Sequence, residues 1–501
     1  MIYLDNAATT AASTEVLKAA TPYLTGNYGN AGATYSFGKT SAKAIDKARE
    51  QVAELINADP EQIIFTSGGS EANNLAFTVR RRKTYTSGYE HESVLKASGD
   101  KSVRFRIMDV TPDFIGLELR NCAKCYKRKH NALCAPLNPT LISMMYTNNE
   151  TGENLPVEET IRKARQCGTP VIFHTDCVQA LGSEKLDMKK IGCDMASFSA
   201  HKIHGFKGTG ALFVKDKSLL TPLIAGGEHQ EFGYRAGTEN VAGIVAFGAA
   251  CATIKRDFGM IREREISLIN RFKDVLFNEL EAKHLLSIAH INGMGTKIIN
   301  LHFDGVDGET LLLMLDSKGI CVSAGSACTA HEQKPSHVLK AMGFSDNVAR
   351  NSIRVSVSDM NTTDEMETAA IAMSSFNYLY DEYDDDFDQD IIDLCKMIEE
   401  NEEGNIYLNN PIELSKMEIV ESIIKKTVNA NELKITKEVN EPFITSGGIG
   451  AEGKSIKISN PKLFTMILKL SDNIEFFPKT NGNVEMGIAF SDVAVKIGSV
   501  E

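Results

Sequence analysis

An α/β fold with a mostly parallel sheet is predicted by three features of this sequence. Over roughly the first half of the chain, short apolar runs alternate with helical stretches, as at Ile63-Ile64-Phe65-Thr66, Leu141-Ile142-Ser143-Met144-Met145 and Val171-Ile172-Phe173. Such runs read as strands buried on both faces, and their alternation with helices is the pattern of a parallel sheet. The first run leads through a small-residue turn, Ser67-Gly68-Gly69-Ser70, into a helical segment rather than a hairpin. Finally, 501 residues with a 43% hydrophobic share exceed one ordinary domain and can bury a sizeable core, so two or three domains are expected.

Composition narrows the function classes. A net charge of -12 argues against bulk affinity for nucleic acid, which a local basic patch would not contradict. No apolar stretch is long enough to span a bilayer, and Met1-Ile2-Tyr3-Leu4-Asp5-Asn6 carries neither a charged leader nor a signal core, so a cytoplasmic protein is expected. Ten cysteines scattered along the chain suit a reducing compartment better than a disulfide framework.

The elements can be justified in order. The turn Ser67-Gly68-Gly69-Ser70-Glu71-Ala72-Asn73-Asn74 offers backbone N–H groups and a helix N-terminus that would hold a phosphate; alone, it would be an ordinary strand-to-helix turn. Phe173-His174-Thr175-Asp176-Cys177-Val178-Gln179 puts a carboxylate at the end of an apolar run. Twenty-six positions later, Ser199-Ala200-His201-Lys202 and Gly205-Phe206-Lys207-Gly208 set a lysine among small residues. A Schiff-base lysine with an aspartate for the ring nitrogen is what pyridoxal phosphate (PLP) chemistry requires. Neither segment would be specific alone.

These segments form part of a longer series. Tyr3-Leu4-Asp5-Asn6-Ala7-Ala8-Thr9-Thr10, the 65–74 turn, Glu90-His91-Glu92-Ser93-Val94-Leu95, Asn148-Asn149-Glu150-Thr151-Gly152, the Asp176 and Lys202 segments, Arg235-Ala236-Gly237-Thr238-Glu239-Asn240 and Gly325-Ser326-Ala327-Cys328 resemble cysteine desulfurases. The series covers roughly residues 1 to 375 in the family's order. The resemblance implies a class V, fold-type I PLP enzyme, typically a homodimer. Its large domain would hold a mostly parallel seven-stranded sheet over residues 13–255, with a smaller α+β domain over 1–12 and 256–376.

The resemblance also implies residue roles. Lys202 matches the lysine that holds the cofactor, Asp176 the partner of the pyridinium nitrogen, and Gln179 and Asn149 the contacts of the ring hydroxyl. His91 matches the imidazole stacked on the ring; Gly69, Ser70, Ser199 and His201 match the phosphate site, and Thr238 a phosphate contact from the neighbouring subunit. Arg354 and Asn6 match substrate-binding positions, Arg354 for the carboxylate. Arginine's planar fork suits that task, and a histidine titrates in the range needed of a proton carrier. Singly, His91 also reads as a satisfied core histidine, and Arg354 as a surface ion-pair residue.

PLP supports several reactions, and Cys328 is the expected selector of sulfur removal. It lies in Ser323-Ala324-Gly325-Ser326-Ala327-Cys328-Thr329-Ala330-His331-Glu332-Gln333-Lys334-Pro335-Ser336-His337, a small-residue polar stretch that predicts exposure. Its thiolate would attack the sulfur of L-cysteine, become a persulfide, and leave alanine. The loop length resembles the desulfurases that donate to protein acceptors, such as an iron-sulfur scaffold or a sulfur carrier. Cys321, on an apolar stretch, is expected in the core.

Two regions depart from the family. Within an insertion at about 119–137, Cys122, Cys125, His130 and Cys134 suggest tetrahedral zinc, although the spacing is one residue short of a zinc knuckle. Lys124, Lys127, Arg128 and Lys129 between them suit RNA or an acidic partner, or a solvated helix face with incidental thiols. After Ser375 an acidic linker, 377–404, leads to an unassigned α+β appendage over 405–501, with a helix expected from the capping box at Ser415 to about Val428 and strands at 455–459, 464–470 and 484–495. Gly448-Ile449-Gly450-Ala451-Glu452-Gly453-Lys454-Ser455 satisfies the P-loop pattern, but Ile456-Lys457-Ile458-Ser459-Asn460 reads as a strand halted by Pro461, so a Gly-rich loop is expected. A desulfurase is therefore set against a selenocysteine lyase or another class V lyase, and against a non-catalytic scaffold presenting the insertion and the tail.

Overall fold

The computed structural model describes residues 1–99, 102–105, 139–166, 170–324 and 335–375, with eight short strand segments between 405 and 500. The expected metal ligands Cys122, Cys125, His130 and Cys134, the expected nucleophile Cys328, the acidic linker, and the elements expected at 415–428 and 464–470 lie outside the described residues. The described residues fall into two compact units, Tyr3–Asp304 with Val322–Ala370, and Met1–Ile2 with Gly305–Cys321 and the segment from Ile371 onward.

The first unit is built on seven strands: β1 (Ile63–Thr66), β2 (Lys83–Ser87), β3 (Val103–Phe105), β4 (Thr140–Ser143), β5 (Val171–Asp176), β6 (Met195–Ser199) and β7 (Gly210–Val214). Their order is β1-β7-β6-β5-β4-β2-β3. Strands β2 to β6 are parallel, and β7 is antiparallel to both β6 and β1. The expected mostly parallel, seven-stranded sheet is present. Since β1 reverses direction again across β7, every strand except β7 ends on the same edge, where open α/β sheets bind their ligands.

Alternation along the strands explains the layers. Ile63, Phe65, Ile142 and Phe173 enter one apolar core, while Ile64, Leu141 and Ile172 enter another on the opposite face. The first core is covered by α1 (Ser36–Leu55), α4 (Val157–Arg165) and α5 (Val241–Ala282); the second by α2 (Gly69–Ala76) and α3 (Glu92–Ser98). Helix α1 buries Ser41, Ala44, Ala48 and Val52 at helical spacing. It lies so close to α5 that a Cβ on Gly248 would stand 2.6 Å from the Ala48 Cα, which is why glycine occupies that position.

Residues 289–356 add a four-stranded antiparallel sheet of β8 (Ala289–Met294), β9 (Ile298–Phe303), β10 (Ser323–Ala324) and β11 (Ile353–Ser356), ordered β10-β11-β9-β8. It places Arg354 on β11. Cys321, expected in the core, is half-buried.

In the second unit, β12 (Asn405–Tyr407), β13 (Ile435–Lys437), β14 (Ser455–Ile458), β15 (Asn473–Pro478), β16 (Val484–Phe490) and β17 (Val493–Val500) form a sheet ordered β12-β14-β13-β17-β16-β15. The strand expected over 455–459 is present. The one expected over 484–495 is instead two arms of a hairpin, with Phe490 opposite Val493. A strand, Ser455–Ile458, comes after the Gly-rich segment where a P-loop requires a helix, so the P-loop reading fails. Among the described residues, no helix is long and apolar enough to cross a membrane.

Candidate active site

The carboxyl edge of the seven-stranded sheet gathers the residues singled out in the sequence. Asp176 is the last residue of β5 and is buried. Its Oδ1 accepts from the Val178 backbone N–H at 2.9 Å and its Oδ2 from Asn73 Nδ2 at 2.8 Å. Asn73, on α2, also donates from Nδ2 to Ser93 Oγ at 2.8 Å, and that hydroxyl lies 2.8 Å from His91 Nδ1. His91 caps α3, its Nδ1 accepting from the Ser93 backbone N–H at 3.1 Å. Two donors converge on Nδ1, so the neutral ring carries its proton on Nε2. Burial lowers the His91 pKa; the Asp176 charge opposes that shift and Lys202 adds to it. The imidazole is accordingly a neutral group with one nitrogen already occupied.

Lys202 sits in the short helical turn Ala200–Lys202 that comes after β6. Its Nζ donates to the carbonyls of Ala7 and, at 2.8 Å, Ala8. The N-terminal segment is bound over this turn: Thr10 Oγ1 donates to the His201 carbonyl at 2.9 Å and accepts from the His204 backbone N–H at 2.8 Å. Gln179 Nε2 donates to the Ala7 carbonyl at 2.9 Å. His201, whose Nδ1 lies 3.2 Å from Thr9 Oγ1, has its pKa pushed down to about 4 by burial and by the Lys202 and Lys207 charges.

Arg354 is 2% exposed, with Nη1 donating to the Asn149 carbonyl at 2.9 Å and Nη2 to Asp5 Oδ1 at 2.7 Å. It is a buried guanidinium and not a surface ion-pair residue. Asn6 donates from Nδ2 to the Ser356 carbonyl at 3.1 Å and to Asn361 Oδ1 at 3.2 Å, so its amide nitrogen is committed to holding the N-terminal segment against β11. Ser70 and Thr238 are exposed. Gly69 leads α2 under Val178, where a Cβ would come within 2.6 Å of the valine Cγ2. Only glycine brings the helix N-terminus that close to the end of β5.

Two acids that the sequence did not single out lie behind these residues. Glu90 is buried, and its Oε1 accepts from Ser87 Oγ and from the Met145 backbone N–H at 2.9 Å. Burial pushes its pKa up to about 8, against those hydrogen bonds and with a further push from Asp176. Glu150, also buried, accepts from Ser336 Oγ at 2.5 Å and is likewise shifted upward by burial. Asn73 is the third omission: within its motif it reads as an ordinary helix residue, and only folding places it between Asp176 and Ser93.

Whether this edge fits PLP is decided by its unmet hydrogen-bonding capacity. Asn149 Oδ1, Gln179 Oε1, Ser199 Oγ and Arg354 Nε are buried without a partner among the described residues. Buried polar groups are almost always paired, so such a group of exceptions marks a place for a polar ligand. Three neutral polar atoms and a guanidinium N–H beside a lysine, an aspartate and a helix N-terminus fit a ring with a hydroxyl, a basic nitrogen and a phosphate.

The fold and this site define the class of protein. Residues 2–368 match the family described as Aminotransferase class-V. A cysteine desulfurase of Trichormus azollae is 39% identical over 380 residues, covering 73% of this chain and 90% of the relative. The cysteine desulfurase IscS of Methanosarcina thermophila is 36% identical over 382 residues, covering 73% and 89%. Among solved structures, a NifS-like protein is 29% identical with a TM-score of 0.64, covering 75% of this chain and 98% of its own. The NifS-like protein of Rickettsia africae is 26% identical with a TM-score of 0.63, covering 76% and 99%. The chain belongs to the class V aminotransferase family, on its cysteine desulfurase branch. Membership implies PLP as cofactor.

Proposed function

We propose that this protein is a PLP-dependent cysteine desulfurase that converts L-cysteine to L-alanine and keeps the sulfur as a persulfide on Cys328. The observation that carries the reading is that Asn149, Gln179, Ser199 and Arg354 each bury a polar atom without a partner among the described residues, on segments that meet Lys202, Asp176 and His91 in the family's order. PLP, when bound, supplies an electron sink for bond changes at the substrate α-carbon. Lys202 would hold it covalently and Asp176 would keep its ring nitrogen protonated. Asn149 and Gln179 would take the ring hydroxyl; Gly69, Ser70, Ser199 and His201 would take the phosphate. Asn73 and Ser93 hold Asp176 and His91 in mutual register, leaving Nε2 of His91 for proton transfer. Arg354 and Asn6 would position the substrate, Arg354 through its carboxylate.

Sulfur removal then balances within the chain. The Cys328 thiolate attacks the substrate sulfur, an S–S bond forms, the substrate C–S bond breaks, and the carbon fragment takes up a proton and leaves as alanine. Burial raises the thiol pKa values of Cys177, Cys193 and Cys251, a setting that suits packing rather than nucleophilic attack. The persulfide would be passed to a protein acceptor, such as an iron-sulfur scaffold or a sulfur carrier.

Exposed Tyr28, Tyr35, Phe37, Leu223, Ile224 and Phe232, together with exposed Thr238, support a homodimer in which Thr238 reaches the neighbouring subunit's phosphate site. The domain division at residues 12, 255 and 376, a cytoplasmic location, and zinc on Cys122, Cys125, His130 and Cys134 belong to the same proposal. Metal analysis of protein purified without added zinc tests the last of these.

The deciding experiment tracks visible absorbance, alanine and protein-bound persulfide when L-cysteine is added. Parent protein is expected to form alanine and persulfide together, and Cys328→Ser to keep the chromophore while forming no persulfide. Sulfide release by Cys328→Ser at the parental rate would refute the nucleophile assignment.

A further inference from the structure

At the edge of the four-stranded sheet, three side chains that the desulfurase reading does not use come together. His290 on β8 lies opposite His302 on β9, and Asp304 comes directly after β9. His290 Nε2 is 2.8 Å from Asp304 Oδ2, and His302 Nε2 is 3.6 Å from Asp304 Oδ1. The two rings stack with centroids 4.9 Å apart, and one ligating atom from each of the three residues lies within 4.8 Å of the others.

The hydrogen bonds behind His302 fix what it can do. Asn292 donates from Nδ2 to Asn300 Oδ1 at 2.8 Å and to Ser352 Oγ at 2.9 Å, so the amide oxygen is the atom that faces His302. That oxygen is 2.7 Å from His302 Nδ1, which must therefore carry the ring proton. With Nδ1 engaged by Asn292, Nε2 is the ring atom turned toward Asp304, the same carboxylate that His290 Nε2 approaches. Histidines that bind metals are commonly oriented in this way, the second ring nitrogen donating to an oxygen behind it. Asn292 and His302 are each 7% exposed, so this support is held in place by packing, whereas His290 and Asp304 face solvent and can adjust.

We propose that His290, His302 and Asp304 bind one divalent transition-metal ion of the zinc type, through two imidazole nitrogens and one carboxylate oxygen, with water completing the coordination. Bonds of about 2.0–2.2 Å in a tetrahedral site put ligands roughly 3.4 Å apart. The His290 and His302 nitrogens lie 2.8 and 3.6 Å from the two oxygens of the Asp304 carboxylate, and one ligating atom from each residue lies within 4.8 Å of the others, so side-chain rotation of exposed His290 and Asp304 is what would close the site. Two nitrogens and one oxygen select against magnesium and calcium, which take oxygen shells. The ion would clip Asp304 to both strands of the edge pair, apart from any ion held by the cysteine-rich insertion.

The test titrates Zn²⁺, in competition with a chromophoric chelator, into the full-length PLP-loaded protein. Cys122, Cys125 and Cys134 are replaced by serine so that their thiolates do not compete, and cofactor absorbance reports that the fold is intact. A single tight equivalent is expected, weakened by His290→Ala and by Asp304→Asn by at least the roughly 10–100-fold that losing an outer-shell partner costs, with excess Mg²⁺ failing to displace it. The proposal is overturned if the parent takes up no zinc, or if both variants bind it as the parent does.

Discussion

His174 and His91 mark two regions of one sheet, its interior and its carboxyl edge, and they differ in how far their rings are engaged. Inside, His174 is buried between Ser143 Oγ at 2.8 Å and Ser197 Oγ at 3.0 Å, and burial pushes its pKa down to about 3. Both ring nitrogens are spoken for, and the residue is a spacer between strands. At the edge, His91 has Nδ1 occupied, among side chains with partnerless polar atoms. Residue type does not distinguish the two; the number of ring nitrogens already engaged does.

The sharpest way to break this contrast is to remove the edge imidazole. His91→Asn is expected to lower kcat about 10²–10⁴-fold, the usual contribution of a positioned proton carrier, while the protein still folds and retains PLP absorbance. Steady-state kinetics with an absorbance spectrum check it. Asn73→Ala removes one donor from Asp176 and the link to Ser93. A hydrogen bond to a charged group is worth about 1.5–3 kcal/mol, so kcat/KM should fall about 10–100-fold, with a displaced pH–rate profile that a merely structural role would not produce.

Glu90 sharpens the comparison through pH. With its pKa raised to about 8 in the folded protein, it stays protonated where the unfolded chain has ionised. Its contribution to stability is therefore complete below the ordinary carboxylate range and is lost as pH rises toward 8. Glu90→Gln should flatten the fall in unfolding free energy across that window by up to about 1.4 kcal/mol per pH unit, measured by denaturant titration. The smallest effect on activity belongs to the interior. His174→Phe leaves the Ser143 and Ser197 hydroxyls unpaired and should cost about 1–3 kcal/mol of stability, while kcat of the folded protein is unchanged.

Much of the sheet was legible because its strands are buried on both faces and read as continuous apolar runs. β1 matches its run residue for residue, and the run at 171–173 opens β5, which continues through His174-Thr175 to Asp176. The run at 141–145 overshoots, since pairing with β2 ends at Ser143. Lys202, Asp176 and His91 were legible as members of an ordered series of motifs. The supporting residues were not, because an asparagine inside a helix and glutamates among polar neighbours look like ordinary polar surface until the chain brings Asn73 to Asp176 and buries Glu90 and Glu150. The second histidine cluster was hidden for a similar reason: His290 and His302 are twelve residues apart, and only the β8–β9 register sets them side by side.

The contact between Arg354 and Asp5 changes what substrate recognition would mean. The guanidinium already holds a carboxylate of its own chain at 2.7 Å. On the proposed reading, an incoming amino acid finds Nε of the guanidinium open while Nη2 is already held by Asp5, so its carboxylate shares the group with a resident one and its affinity is set against that ion pair. A guanidinium with a resident carboxylate would hold a substrate less tightly than a free one and would favour anions able to compete with Asp5, so the same internal rival would serve release and discrimination.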